Sequence, residues 1–153
     1  MFKGHAICNL DNKSRLVLPA KFRKYIQTEA DNKVVLTRGV PECILVYPVN
    51  IWDMVQTKLM NYNYFVPDER SFIKELLYYA NDVELDSQHR ILLPSPLIEF
   101  AKIKKEVVVT GMIDKLEIWD PEMMRAEDVK QTKTYGEIAQ KVTESIYSKI
   151  TNT

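Results

Sequence analysis

Glycine is scarce in this chain, with four in 153 residues. That leaves no glycine-rich loop able to cradle a phosphate, and no G-x-S-x-G nucleophile elbow occurs. Cysteine and histidine are scarcer still, at two each. Cys8 and Cys43 lie in apolar, strand-like stretches without C-x-x-C spacing, the setting of small buried hydrophobes. His5 and His89 are too few and too far apart to suggest a metal site. No apolar run approaches the roughly 20 residues that span a bilayer, and Met1-Phe2-Lys3-Gly4-His5 carries no signal-peptide core. Net charge is missing as well, since 21 basic residues balance 21 acidic ones. These absences argue against an enzyme and against a protein that is basic all over. They predict a cytoplasmic chain without catalytic residue, metal ligand, cofactor or membrane partner. The 46% apolar share is ordinary, so a true core is expected, in one domain or in two small intertwined halves.

What the chain does have is a stretch that occurs twice. Leu10-Asp11-Asn12-Lys13-Ser14-Arg15-Leu16-Val17-Leu18-Pro19 returns as Leu85-Asp86-Ser87-Gln88-His89-Arg90-Ile91-Leu92-Leu93-Pro94. The offset is constant, because 86 − 11, 90 − 15 and 94 − 19 all equal 75. Each copy is Asp-x-x-x-Arg, three aliphatic residues and a proline. That pattern predicts a tight turn feeding a buried strand, which stops where proline has no N–H for a ladder. Further on, Val35–Gly39 matches Val107–Gly111 and Ile44–Tyr47 matches Leu116–Trp119, both at an offset of 72 in the sequence (107 − 35, 116 − 44). Two copies are too few for a solenoid, so a duplicated module with an internal pseudo-twofold is expected.

Read in order, the chain predicts a strand over Phe2–Asn9, reversed by the Asp11–Ser14 turn into a second strand at Arg15–Leu18. A short helix follows at Ala20–Ile26, then strands at Val34–Thr37 and Ile44–Tyr47 joined by a Gly/Pro loop. Asn50 is expected to cap a helix turning Trp52, Val55 and Leu59 inward, and Pro67 to open another with Phe72, Ile73, Leu76, Tyr79 and Ala80 on one stripe. In the second copy, Ser95-Pro96 reads as N-cap and first turn of a helix over Leu97–Ala101, before strands at Glu106–Thr110 and Leu116–Trp119. Tyr135, Ile138, Val142, Ile146 and Ile150 then share one helical face, suited to its own core or to a neighbouring subunit.

Positive charge gathers on the repeats. Lys13, Arg15, Lys21, Arg23 and Lys24 stand against Asp11 alone in the first, and Arg90, Lys102, Lys104 and Lys105 against Asp86 and Glu99 in the second. The Asp-x-x-x-Arg turn has two readings. In one, Asp11 and Asp86 cap turn donors or pair with their arginines and do no more. In the other, a two-stranded hairpin enters the major groove, and Arg15 and Arg90 face outward together to grip guanine or clamp phosphate. Lys13, Lys21 and Arg23 would then neutralise phosphates, and Asp11 and Asp86 would organise the turns. Gln88 replaces Lys13 in the second copy, so one subunit should bind weakly and several must be linked.

Met1-Phe2-x-Gly4, Leu10-Asp11-x-Lys13-x-Arg15-Leu16-x-Leu18-Pro19-Ala20-Lys21-Phe22-Arg23, Leu36-Thr37-Arg38-Gly39 and Glu117-Ile118-Trp119 together resemble the MraZ family of bacterial transcriptional regulators. The resemblance runs from Met1 to about Glu122. It implies an α+β fold of two tandem, pseudo-twofold-related split β-α-β (SpoVT/AbrB-like) modules with additional helices. The modules would occupy 5–50 and 81–124, with linking helices at 51–80; beyond the resemblance, the apolar spacing of the last segment predicts a C-terminal helical tail at 125–153. The resemblance further implies a nucleoid-associated homo-oligomer, a ring, that binds direct repeats in promoter DNA and represses its own operon, the division and cell-wall cluster. Asp11 and Arg15 fill the family's first motif, and Asp86 and Arg90 its second. The family usually has glycine where this chain has Ser14 and His89, which points to a backbone angle with positive φ. The competing reading is an oligomeric protein-binding or antitoxin-like module of the same fold without specific operator binding.

Overall fold

The computed structural model describes residues 1–152 and is α+β, as the resemblance implies. Contacts divide the chain into a unit over Met1–Met123 and a second from Met124 onward. The first unit contains β1 (His5–Asn9), β2 (Arg15–Val17), α1 (Ala20–Glu29), β3 (Lys33–Arg38), β4 (Ile44–Pro48), α2 (Val49–Leu59), α3 (Pro67–Tyr78), β5 (Asn81–Glu84), β6 (Arg90–Leu92), α4 (Ser95–Ala101), β7 (Glu106–Gly111) and β8 (Leu116–Trp119). Helices α5 (Pro121–Lys130) and α6 (Tyr135–Thr151) follow. Among the described residues, no helix is long and apolar enough to cross a membrane.

Six strands form one antiparallel sheet in the order β1-β7-β8-β4-β3-β5, and β2 pairs with β6 in a separate two-stranded ribbon. Both are symmetric under exchange of the copies. The ribbon register, Arg15↔Leu92, Leu16↔Ile91 and Val17↔Arg90, maps onto itself when 75 is added to one strand and subtracted from the other. The two copies are therefore interleaved rather than side by side: β1 lies on the second copy's β7, and β5 on the first copy's β3.

Alternation along the strands explains the layers. Val34 and Leu36 of β3 and Ile44 and Val46 of β4 join Val107, Val109, Leu116 and Ile118 on one face of the sheet. There they pack with Phe22 and Ile26 of α1, Leu97 and Ala101 of α4, and Leu16 and Ile91 of the ribbon. On the opposite face, Val35 and Tyr47 meet Ile51 and Trp52 of α2, with Leu76 of α3 against them. Thr37, fully buried there, donates its hydroxyl proton to the Leu76 carbonyl at 2.6 Å.

Three expectations need correction. The first turn is not the tip of a β1–β2 hairpin, because β1 spends its ladder on β7 and β2 on β6. Burial is the reason: laying the two aliphatic strands side by side brings Leu16, Leu18, Ile91 and Leu93 into one core, which neither strand could reach as a separate finger. Second, the ladders equate Val34 with Val107 and Val35 with Val108, an offset of 73 (107 − 34) rather than 72. The loop after β3 has one residue more than the loop after β7, so the copies regain the offset of 72 at β4 and β8. Third, prolines rather than Asn50 and Ser95 hold the capping positions: Pro48 precedes α2 and Pro94 precedes α4, neither with a side-chain cap. Asn50 lies inside α2 and donates through Nδ2 to the Tyr25 hydroxyl at 2.9 Å.

Candidate nucleic-acid interface

The two Asp-x-x-x-Arg turns have the same hydrogen-bond scheme, and it accounts for the spacing. In the first, Asp11 Oδ1 accepts the N–H groups of Lys13 and Arg15, both at 2.9 Å. The Asp11 carbonyl accepts the Ser14 N–H at 3.0 Å, and the Asp11 N–H donates to the Arg15 carbonyl at 3.0 Å. In the second, Asp86 Oδ1 accepts from Gln88 and Arg90 at 2.9 Å each. The His89 N–H reaches the Asp86 carbonyl at 2.9 Å. A carboxylate at the first position thus satisfies donors two and four residues on, leaving its second oxygen for the arginine side chain.

That second oxygen takes the guanidinium edge. Arg15 Nε donates to Asp11 Oδ2 at 2.7 Å, and Arg90 Nε to Asp86 Oδ2 at 2.8 Å. The two arginines, expected to face outward together, are thus each tethered to their own turn. Their side chains are only 29% and 22% exposed, and one edge of each is spent on its own turn. Arg90 Nη1 also lies 3.9 Å from Asp11 Oδ2, which couples the two turns electrostatically across the ribbon. Clamping Nε fixes the plane of each guanidinium and leaves the Nη edge as its remaining fork of donors.

Both carboxyls are held below the usual carboxylate range. The backbone N–H of the arginine four residues on is the main cause, followed on the lowering side by its guanidinium. Folding thus favours the ionised form. That stabilisation is complete above the unfolded value, about 3.9, and is lost as pH falls through the lower folded value. An Asp11→Asn, Asp86→Asn double variant should accordingly show a shallower fall in melting temperature between about pH 4 and pH 2 than the parent, read by circular dichroism.

The two residues expected at positive φ adopt it. Ser14 has φ 60° and His89 φ 62°. A left-handed angle costs a non-glycine residue roughly 1–2 kcal/mol, while glycine's freer unfolded chain takes back about 0.4–1 kcal/mol. Ser14→Gly is therefore expected to raise stability by up to about 1.6 kcal/mol in urea unfolding. His89→Gly should gain less, because it also removes the 3.3 Å contact between His89 Nδ1 and Gln27 Nε2.

The other basic residues are disposed less uniformly. Lys13 is exposed at the tip of the first turn. The Lys21 ammonium donates to the His5 carbonyl at the β1 edge and stands 5.1 Å over the Phe22 ring. Arg23 is half-buried and donates through Nη1 to the Leu18 carbonyl at 3.1 Å. The structure therefore gathers Asp11, Arg15, Asp86 and Arg90 around one ribbon, with Lys13 beside them. Lys21 and Arg23 buttress the first turn's flank. Two neighbours escaped the sequence reading, Val17 and Leu92, each 53% exposed on the ribbon's outer face. The period-two alternation with buried Leu16 and Ile91 could have revealed them.

The sequence model of the family described as "MraZ protein, putative antitoxin-like" matches residues 1–74 and 76–126. The chain belongs to the MraZ family. It is similar to a protein named "Transcriptional regulator MraZ" from Shewanella baltica (strain OS195), 34% identical over 142 residues, which are 91% of this chain and 93% of that one. The proteins of the same name from Shewanella oneidensis (strain MR-1) and Shewanella putrefaciens (strain CN-32) give the same identity and coverage. The relatives align with 91% of the chain, and the residues matched by the family model include both Asp-x-x-x-Arg turns.

Proposed function

We propose that this MraZ chain is a sequence-specific DNA-binding transcriptional regulator and that its β2–β6 ribbon is the reading element. One observation carries the reading: two turns built alike, related by the ribbon's own symmetry, hold two guanidinium groups by Nε and turn their Nη edges away from that bond, Arg90 Nη1 lying 3.9 Å from Asp11 Oδ2. A two-stranded ribbon fits the major groove, where such a fork matches guanine O6 and N7 or a phosphate. Lys13, Lys21 and Arg23 add sequence-independent phosphate contacts, with Lys13 the most accessible. Asp11 and Asp86 act on DNA only through the arginines they orient.

Two tandem SpoVT/AbrB-like modules, 5–50 and 81–124, supply one ribbon per subunit. Two arginines and one turn lysine give modest affinity, so function requires several subunits in register. A homo-oligomeric ring on direct repeats upstream of its own operon, acting as a repressor in the nucleoid, meets that need. The test is an electrophoretic titration of the purified full chain on its own upstream region and on scrambled duplex. The expected result is a preference of roughly 10³-fold or more, with affinity falling log-linearly as salt rises. Equal binding to both duplexes would remove the specificity claim and favour the protein-binding, antitoxin-like alternative.

A further inference from the structure

The outer face of the ribbon carries four side chains in a two-by-two array. Arg15 stands opposite Leu92 and Val17 opposite Arg90, so the arginines occupy one diagonal and the aliphatic residues the other. The Leu93 N–H donates to the Ser14 carbonyl and the Leu18 N–H to the His89 carbonyl. These bonds bracket the array and make its two cross-strand pairs non-hydrogen-bonded, the class in which side chains approach most closely. Leu16 and Ile91, pointing the other way, are fully buried. Val17 and Leu92 are each 53% exposed and lie outside the core. A polar residue would serve solubility better at both places, yet each copy has an aliphatic one between two guanidinium groups.

Resting on the reading above, we propose that Val17 and Leu92 are specificity-determining residues that contact the C5-methyl groups of thymine in the major groove. Donor geometry selects the occupant: the carboxylates of Asp11 and Asp86 take the Nε edges. An apolar pair framed by the two Nη edges, with Lys13 as the excess positive charge at the rim, suits a groove that offers acceptors beside methyl groups. Geometry sets the spacing. Diagonal neighbours on a two-stranded ribbon are roughly 7–8 Å apart, about two base-pair steps at 3.4 Å each. The ribbon's twofold relates the two residues, so the methyls lie on opposite strands. The guanidinium forks read guanine or phosphate, and the aliphatic pair adds discrimination between thymine and cytosine at the steps between.

The experiment uses the full chain and its own upstream duplex, with all of that duplex's thymines replaced by uracil, which lacks only the methyl. The parent protein should bind the uracil duplex about fourfold more weakly for each methyl contact removed. A Val17→Ser, Leu92→Ser double variant should bind the thymine duplex as weakly as the parent binds the uracil one, without further loss on uracil. Its salt slope should be unchanged, since no phosphate contact is touched. Equal parental affinity for the two duplexes overturns the proposal, and so does a double variant that still distinguishes them. A double variant that loses native mass while keeping its thymine preference overturns it in favour of a protein interface on this face. Failure of the parent to prefer its operator over scrambled DNA is a different result, which removes the underlying reading together with this one.

Discussion

Arg15→Ala is expected to abolish the operator shift at protein concentrations that saturate the parent, while leaving the melting temperature essentially unchanged. The guanidinium of Arg15 is held through Nε by Asp11 at 2.7 Å, so its Nη fork is presented in a fixed plane. Losing such a fork against a base costs roughly 1–3 kcal/mol, or about 5- to 150-fold in affinity for one contact. In a linked oligomer the loss recurs in every engaged subunit, and avidity multiplies it. The turn itself should survive, because Asp11 Oδ1 keeps the Lys13 and Arg15 N–H groups whatever side chain follows. Arg15→Lys separates charge from geometry. It retains a cation but neither the planar fork nor the Nε bond, so salt-sensitive binding to any duplex should persist while preference for the operator falls. An Arg15→Ala protein that shifts its operator normally would sink the ribbon as the reading element.

The same residues show what could and could not be read beforehand. Constant spacing of the two turns was legible because Asp-x-x-x-Arg is a local device: one carboxylate serves donors at fixed positions along a few residues. Strand identity was legible for similar reasons, since short aliphatic runs stopped by Pro19 and Pro94 read as buried strands. Which strand pairs with which was not. β1–β2 and β2–β6 pairings satisfy the same local pattern, and only the joint burial of Leu16, Leu18, Ile91 and Leu93 against a sheet assembled from both copies decides between them. The one-residue shift between β3 and β7 was hidden because Val34-Val35 and Val107-Val108-Val109 align equally well either way. The start of helix α5 escaped because Pro121–Lys130 carries no pronounced apolar stripe to mark it. The Nε bonds that tie the arginines to their turns depend on rotamers, which spacing allows but does not dictate.

Ile91→Ala is expected to be among the most destabilising single changes in the chain, at roughly 2–5 kcal/mol. Ile91 is fully buried at the centre of the ribbon, opposite Leu16, which is buried to the same degree. The pair lies where the ribbon's twofold passes, so both copies close on it. Its loss opens a cavity between ribbon and sheet that neither half can fill by shifting alone. Measured as urea unfolding, the cost is a large share of the 5–15 kcal/mol typical of a whole domain; as a thermal midpoint it is a drop on the order of 10 °C. Leu16→Ala should cost a similar amount. Because the two side chains share one site, the double variant should fall short of the sum of the singles. The argument also reaches function. Arg15 and Arg90 are one residue from these positions on their strands, so a ribbon that loosens there lets the two Nη forks drift relative to each other. Ile91→Ala protein that remains folded at low temperature should therefore bind its operator more weakly than the parent, with the salt slope little altered. A variant as stable as the parent would mean that the two copies are not held together at the ribbon.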